Sequence, residues 1–381
     1  MREPGRIAIG TWSGGRYLRF GEAIEEERLE ALLRPREGGI DTVLSADAYG
    51  QGEADSLLGR ALAGVPRESY SLVGAVGHDF YEGERDGPKG YPRFTDPQLR
   101  GPDAYGDYLR LAAERSLERI GAGSFDVLLL HNPDRTGYES EAVWDAMAAL
   151  RDDGLTGQIG VAPGPANGFT LDLIRCLERF GDRIDYAMVI LNPFEPWPGE
   201  LGLDAASNNG ISVITRVVDY GGIFWDDVTP ATELPKGDHR AFRPTGWIEE
   251  GRDKLERVRP IAERAGLTPM QLACQWNLAH DAVESVVPTL IQELGPGARP
   301  IEEKRAELEA LPAGQRLGDE DVAEIRRVGD NAGCMALKGA SPDHSGEERP
   351  DRWSLDPELV DAGRRWGIEP ERDLAGPVPA T

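Results

Sequence analysis
Eight short runs of aliphatic and β-branched residues, separated by amphipathic stretches, restrict this chain to very few folds. The runs are RIAIGTW (6–12), DTVLSA (41–46), SLVGAV (71–76), FDVLLLH (125–131), QIGVAP (158–163), YAMVILNP (186–193), ISVITRVV (211–218) and ESVVPTL (284–290). They are too continuous for burial on one side only and read as strands covered on both faces. Between them apolar residues recur at helical spacing, as in EERLEALLRP (26–35), AYGDYLRLAAERSLERIG (104–121) and TLDLIRCLERFG (170–181). Eight strands with helical crossovers predict an α/β fold of (β/α)8 TIM-barrel type; two stacked α/β domains are the alternative, and no linker marks a division.

The reading is one barrel domain over residues 1–330 and a C-terminal extension over residues 331–381. The extension holds Trp, Met and Leu residues and is expected to pack on the barrel or make a contact. Chemistry in such barrels sits at the carboxyl ends of the strands and in the loops that follow. Two of those loops are long, residues 77–105 after strand 3 and 219–250 after strand 7, and both are rich in arginine and aromatic residues. Long loops in compact domains are commonly functional, so these are expected to form ordered lids over the mouth. Stacking faces beside forked donors suit a polyhydroxylated or carboxylated small molecule.

The formal charge of −25 opposes association with nucleic acid or anionic membranes. No run approaches the roughly 20 apolar residues of a membrane span. The scattered cysteines, Cys176, Cys274 and Cys334, suit a reducing compartment, and a cytoplasmic location is expected. Five histidines lie in no metal-ligand spacing, and no G-x-S-x-G or Cys–His pattern signals a nucleophile.

Tyr49 closes the strand-2 end and His131 ends strand 4. Either could be a satisfied structural residue; together at strand ends they are the candidate catalytic pair. His78, Lys89, Arg216, Tyr220, Trp225 and His239 are the candidate substrate contacts. Alternation along strand 2 points Asp47 away from the face that carries Leu44, so only a slipped register would bring its carboxyl to the site.

Three segments give the chain a resemblance to the aldo-keto reductase superfamily. LSADAY (44–49) is similar to that family's D-T-A-x-x-Y motif, SFDVLLLHNPD resembles the strand that ends in its histidine, and IAERAGLTPMQLACQWNLAHDAVESVVP resembles its last helix and strand. The resemblance implies NAD(P)-dependent oxidoreduction of a small polar, sugar-like carbonyl or alcohol. It also implies that Tyr49 exchanges a proton with the substrate oxygen while His131 orients it.

The chain departs from the family at the positions that tune and hold the reactants. Leu44 stands for the family's Asp and Ala75 for its Lys, the pair that helps lower the tyrosine pKa. Ala162-Pro163, Met188 and Arg216 stand where the family contacts the nicotinamide. Arg216, and Lys304 and Arg305 after strand 8, are the candidate cofactor contacts, the latter two for a phosphate. His78 or Lys89 is expected to fold back toward Tyr49 and partly replace the lost ammonium. Two alternatives stay open: a non-redox lyase or isomerase that uses Tyr49 and His131 without nicotinamide, and a non-catalytic binding barrel.

Overall fold
The computed structural model describes residues 2–86, 90–164, 169–243, 245–331 and 357–369. Its strands are β1 (Ala8–Gly10), β2 (Thr42–Ala46), β3 (Ser71–Val76), β4 (Phe125–His131), β5 (Thr156–Ala162), β6 (Tyr186–Ile190), β7 (Ser212–Arg216) and β8 (Val283–Val287). They form one sheet in the order β1 to β8, all adjacent pairs parallel. A parallel bridge between Ile7 and Val286 joins the first strand region to the last and closes the barrel. The architecture is the (β/α)8 barrel expected from the eight runs, each within a few residues of its strand.

Helices α1 (Glu26–Leu33), α2 (Glu53–Leu62), α3 (Tyr105–Ile120), α4 (Arg135–Glu139), α5 (Glu141–Asp152) and α6 (Phe169–Phe180) cover the first half of the barrel. The second half carries α7 (Leu203–Asn208), α8 (Trp247–Ala265), α9 (Pro269–Leu278), α10 (Ile301–Glu309) and α11 (Asp319–Val328). None of the described helices is long and apolar enough to cross a membrane.

Period-two alternation splits the strand side chains between two cores. Val43, Leu72, Leu128 and Ile159 face the helices. Leu44, Ala46, Val73, Ala75, Val127, Leu129, Met188 and Ile214 fill the barrel lumen, with Tyr49 packed on them. The register that pairs Leu44 with Val73 and Ala46 with Ala75 therefore sets an apolar floor beneath the mouth.

Within the extension, α12 (Pro357–Arg365) lies on α6. Leu359 and Ile368 share an apolar cluster with Leu171 and Ile174, and Glu178 accepts from Arg365 Nε (3.1 Å) and Trp366 Nε1 (2.8 Å). The same cluster holds Trp197, from the loop after β6.

Candidate active site
Tyr49 begins a tight turn, Tyr49–Gly52, that links β2 to α2. The turn takes Gly50, Gln51 and Gly52 through the left-handed region (φ 60°, 55° and 92°), and a side chain at Gly52 would run into Arg119. Glycine relieves two of those three positions. The turn lifts the Tyr49 ring over the lumen floor, where it meets the edge of His131, with centroids 5.7 Å apart and planes at 89°. His131 reaches the same place as the last residue of β4, on the lumen side of that strand's alternation. Gly77 permits β3 to end close beside it, because a Cβ there would lie 2.7 Å from the His131 carbonyl oxygen.

A cavity of about 400 Å³ opens above this pair. The loop after β1 lines it with Tyr17, Leu18 and Phe20; the loop after β3 adds His78, Arg85 and Tyr91. From β7 and its loop come Arg216, Asp219, His239, Arg240 and Arg243. Asp219 is buried and spends its carboxylate on the backbone N–H groups of Thr289 (2.8 Å) and Gly222 (2.9 Å). Arg243 is paired with Glu195 (2.8 Å), and Arg240 with Glu293 and Asp238.

Burial and neighbouring cations set the protonation states. His131 is buried, and desolvation, then Arg216 and Arg93, lower its pKa to about 3. Its Nδ1 has no hydrogen-bond partner among the described residues. His78 packs on it with ring centroids 5.0 Å apart and is likewise held neutral by burial, by Arg93 and by His131. Arg93 donates to His78 Nδ1 (3.1 Å), and His78 Nε2 lies 3.3 Å from the Asn132 amide. Burial raises the Tyr49 pKa, while the Arg216 guanidinium draws it down. At neutral pH the pair therefore offers a phenol that holds its proton and an uncharged imidazole.

Other expected residues are placed differently. His78 lines the mouth but is held neutral, so it does not replace the missing ammonium; among the described residues the cation acting on Tyr49 is Arg216. Lys89 lies outside the described residues. Trp225 is fully buried and donates from Nε1 to the Thr289 carbonyl (2.8 Å), so it supports the end of β8 and lines no part of the cavity. Tyr220 is buried behind Arg243, whose guanidinium sits 4.5 Å from its ring centroid. His239 does border the cavity, with Nδ1 3.1 Å from the Arg19 carbonyl oxygen and its ring against Phe20.

Lys304 and Arg305 are structural cations instead of cavity residues. Lys304 is buried against Asp227 (2.6 Å) and donates to the Ile291 carbonyl (2.7 Å). Arg305 is buried beneath α1, where it donates to the carbonyls of Ala31 (2.9 Å) and Arg34 (2.8 Å). Asp47 points behind β2, as alternation requires. It is fully buried, and desolvation followed by Asp55 pushes its carboxyl well above the usual range.

Sequence reasoning missed Tyr17, Leu18 and Phe20, although TWSGGRYLRF directly follows the first strand and is a strand-end loop rich in aromatics and glycine. It also missed Asn132, whose left-handed backbone (φ 46°) turns its amide toward His78. Among the described residues no group of three His, Cys, Asp or Glu side chains is placed to hold a metal.

The sequence model of the Aldo/keto reductase family matches residues 6–329. A 6-dehydroglucose reductase of Agrobacterium fabrum is 24% identical over 320 residues, covering 81% of this chain and 89% of that protein. A probable voltage-gated potassium channel subunit beta of Arabidopsis thaliana is 22% identical, covering 75% of this chain and 85% of that one. The solved glycerol dehydrogenase of Gluconobacter oxydans superposes with a TM-score of 0.65 at 20% identity, covering 86% of this chain and 94% of its own. An aldo/keto reductase of Klebsiella pneumoniae in complex with NADP and acetate superposes with a TM-score of 0.58 at 19% identity, covering 85% and 91%.

Proposed function
This chain belongs to the aldo/keto reductase family, and from that premise we propose that its barrel mouth is an acid–base site for a small polar, sugar-like molecule. In this reading Tyr49 exchanges a proton with the carbonyl or hydroxyl oxygen of the substrate, and His131 and Arg216 orient that oxygen. One observation carries it: Tyr49 and His131 meet edge to face on a cavity of about 400 Å³ at the carboxyl end of the barrel, within the field of Arg216. A neutral imidazole and a guanidinium are suitable donors to an oxygen that gains negative charge. The names of the Agrobacterium and Gluconobacter relatives favour a sugar or polyol.

Family membership supports an oxidoreductase, and NAD(P) is the cofactor it would use. The residues here do not fit that group. Ala162, Pro163 and Met188 offer no side-chain hydrogen bond to a nicotinamide amide. The Pro163 carbonyl already accepts from Arg216 Nη2 (2.7 Å). This mismatch favours the second reading, in which Tyr49 and His131 move protons in a lyase or isomerase reaction.

The test is turnover of a panel of aldoses, ketoses, polyols and sugar acids, followed by NMR with NADPH or NADP⁺ present and absent. Conversion of at least one member is expected. Conversion of none, by a folded protein at high concentration, would count against an enzyme and leave the binding barrel.

A further inference from the structure
The loops after strands 7 and 8 of a (β/α)8 barrel commonly form its phosphate-binding site, together with the start of a nearby helix. In this chain, four carboxylates already occupy donors in that region. Asp219 takes the N–H groups of Gly222 and Thr289, one from each loop. Asp227 takes Lys304 Nζ (2.6 Å) and the N–H of Arg299 (3.0 Å). Glu293 takes Arg240 through both oxygens (2.5 and 3.0 Å), and Asp238 holds the same guanidinium from its other side (2.9 Å).

All of these acids are buried, as are Lys304 and Arg240. The Gly221–Gly222 turn, whose bare backbone could admit a ligand, is packed as well: a Cβ at Gly222 would lie 3.0 Å from Glu293 Oε1. An incoming phosphate must either approach these carboxylates or displace one and leave it buried without its cation. Both outcomes are unfavourable. At the other end of a dinucleotide, Ala162, Pro163 and Met188 give the nicotinamide amide no side-chain partner.

We propose that this chain carries its own anions, Asp219, Asp227 and Glu293, in the phosphate site of the barrel, and that it binds no nicotinamide dinucleotide. The proposal concerns the cofactor groove; it deepens the non-redox side of the acid–base reading and rests on that reading only for its consequence at Tyr49.

The chain of residues 1–381, its folding checked by circular dichroism in the same buffer, is titrated with NADPH and NADH up to millimolar concentration. Cofactor fluorescence and calorimetry follow the binding. No saturable binding by either method is expected. Saturable binding with a Kd in the micromolar range would overturn the proposal. The two readings fail separately. Tyr49-dependent reduction by bound NADPH would overturn the self-filled groove and keep the acid–base site. Absence of cofactor binding together with turnover indifferent to Tyr49→Phe would support the self-filled groove and remove the acid–base site.

Discussion

The Tyr49 ring stands at 89° to that of His131, its centroid 5.7 Å away, and rests on a floor that includes Leu44 and Ala75. In the family resemblance, that floor would hold a carboxylate and an ammonium. Replacing them with apolar side chains leaves the two rings in a drier environment, with the charge supplied from the side by Arg216. Burial then keeps the phenol protonated and the imidazole neutral, which changes how the site responds to pH and to substitution.

Acid stability should depend on His131. Its folded pKa of about 3 lies below the ordinary imidazole value of about 6.5, so between these values the unfolded chain binds a proton that the folded chain refuses. Stability is therefore lost as pH falls from about 6.5 toward 3, by an amount on the order of a few kcal/mol for this group. Urea unfolding of the parent and of His131→Gln at pH 7 and pH 4.5 measures it. The variant should lose less stability on acidification; an equal loss in both proteins would remove His131 as a source of acid sensitivity.

Arg216 depresses the pKa of His131 and of Tyr49 together. Arg216→Gln should therefore raise both, the imidazole remaining below its free value because desolvation is the larger cause. NMR titration of the His131 ring resonances checks the first shift. An unmoved or lowered His131 pKa would contradict the electrostatic role given to Arg216.

Restoring charge to the lumen floor should be costly one residue at a time. Leu44→Asp or Ala75→Lys alone buries a charge among apolar neighbours and should destabilise by several kcal/mol, or fold with the new group neutral. The double variant should recover part of that loss, with a coupling of about 0.5–3 kcal/mol in a double-mutant cycle. It should also lower the Tyr49 pKa, read from tyrosinate absorbance. Strict additivity of the two losses would show that the side chains do not meet on one floor.

The barrel was legible because strands buried on both faces leave an uninterrupted apolar record, as in SLVGAV and FDVLLLH, and because helices between them keep their own period. The Tyr49–His131 pairing was legible for a related reason: each is tied to the end of a strand, and strand ends share one rim. Loop residues were harder to place. Trp225 and Tyr220 belong to an aromatic-rich loop, yet Trp225 is drawn under β8 by its bond to the Thr289 carbonyl and Tyr220 behind the Arg243 guanidinium. In the sequence Lys304 and Arg305 look free to meet a phosphate. Their partners, Asp227 and the carbonyls at the end of α1, are more than seventy residues away in sequence and visible only once the chain is folded.

The central claim, that the mouth moves a proton through Tyr49, is tested most directly by kcat of Tyr49→Phe on whichever sugar-like compound the parent converts. The substitution keeps the ring against His131 and removes only the hydroxyl. General acid–base catalysis contributes typically about 10²–10⁴-fold, so kcat should fall by that order with substrate affinity little changed. A Tyr49→Phe protein that turns over as fast as the parent would contradict the account.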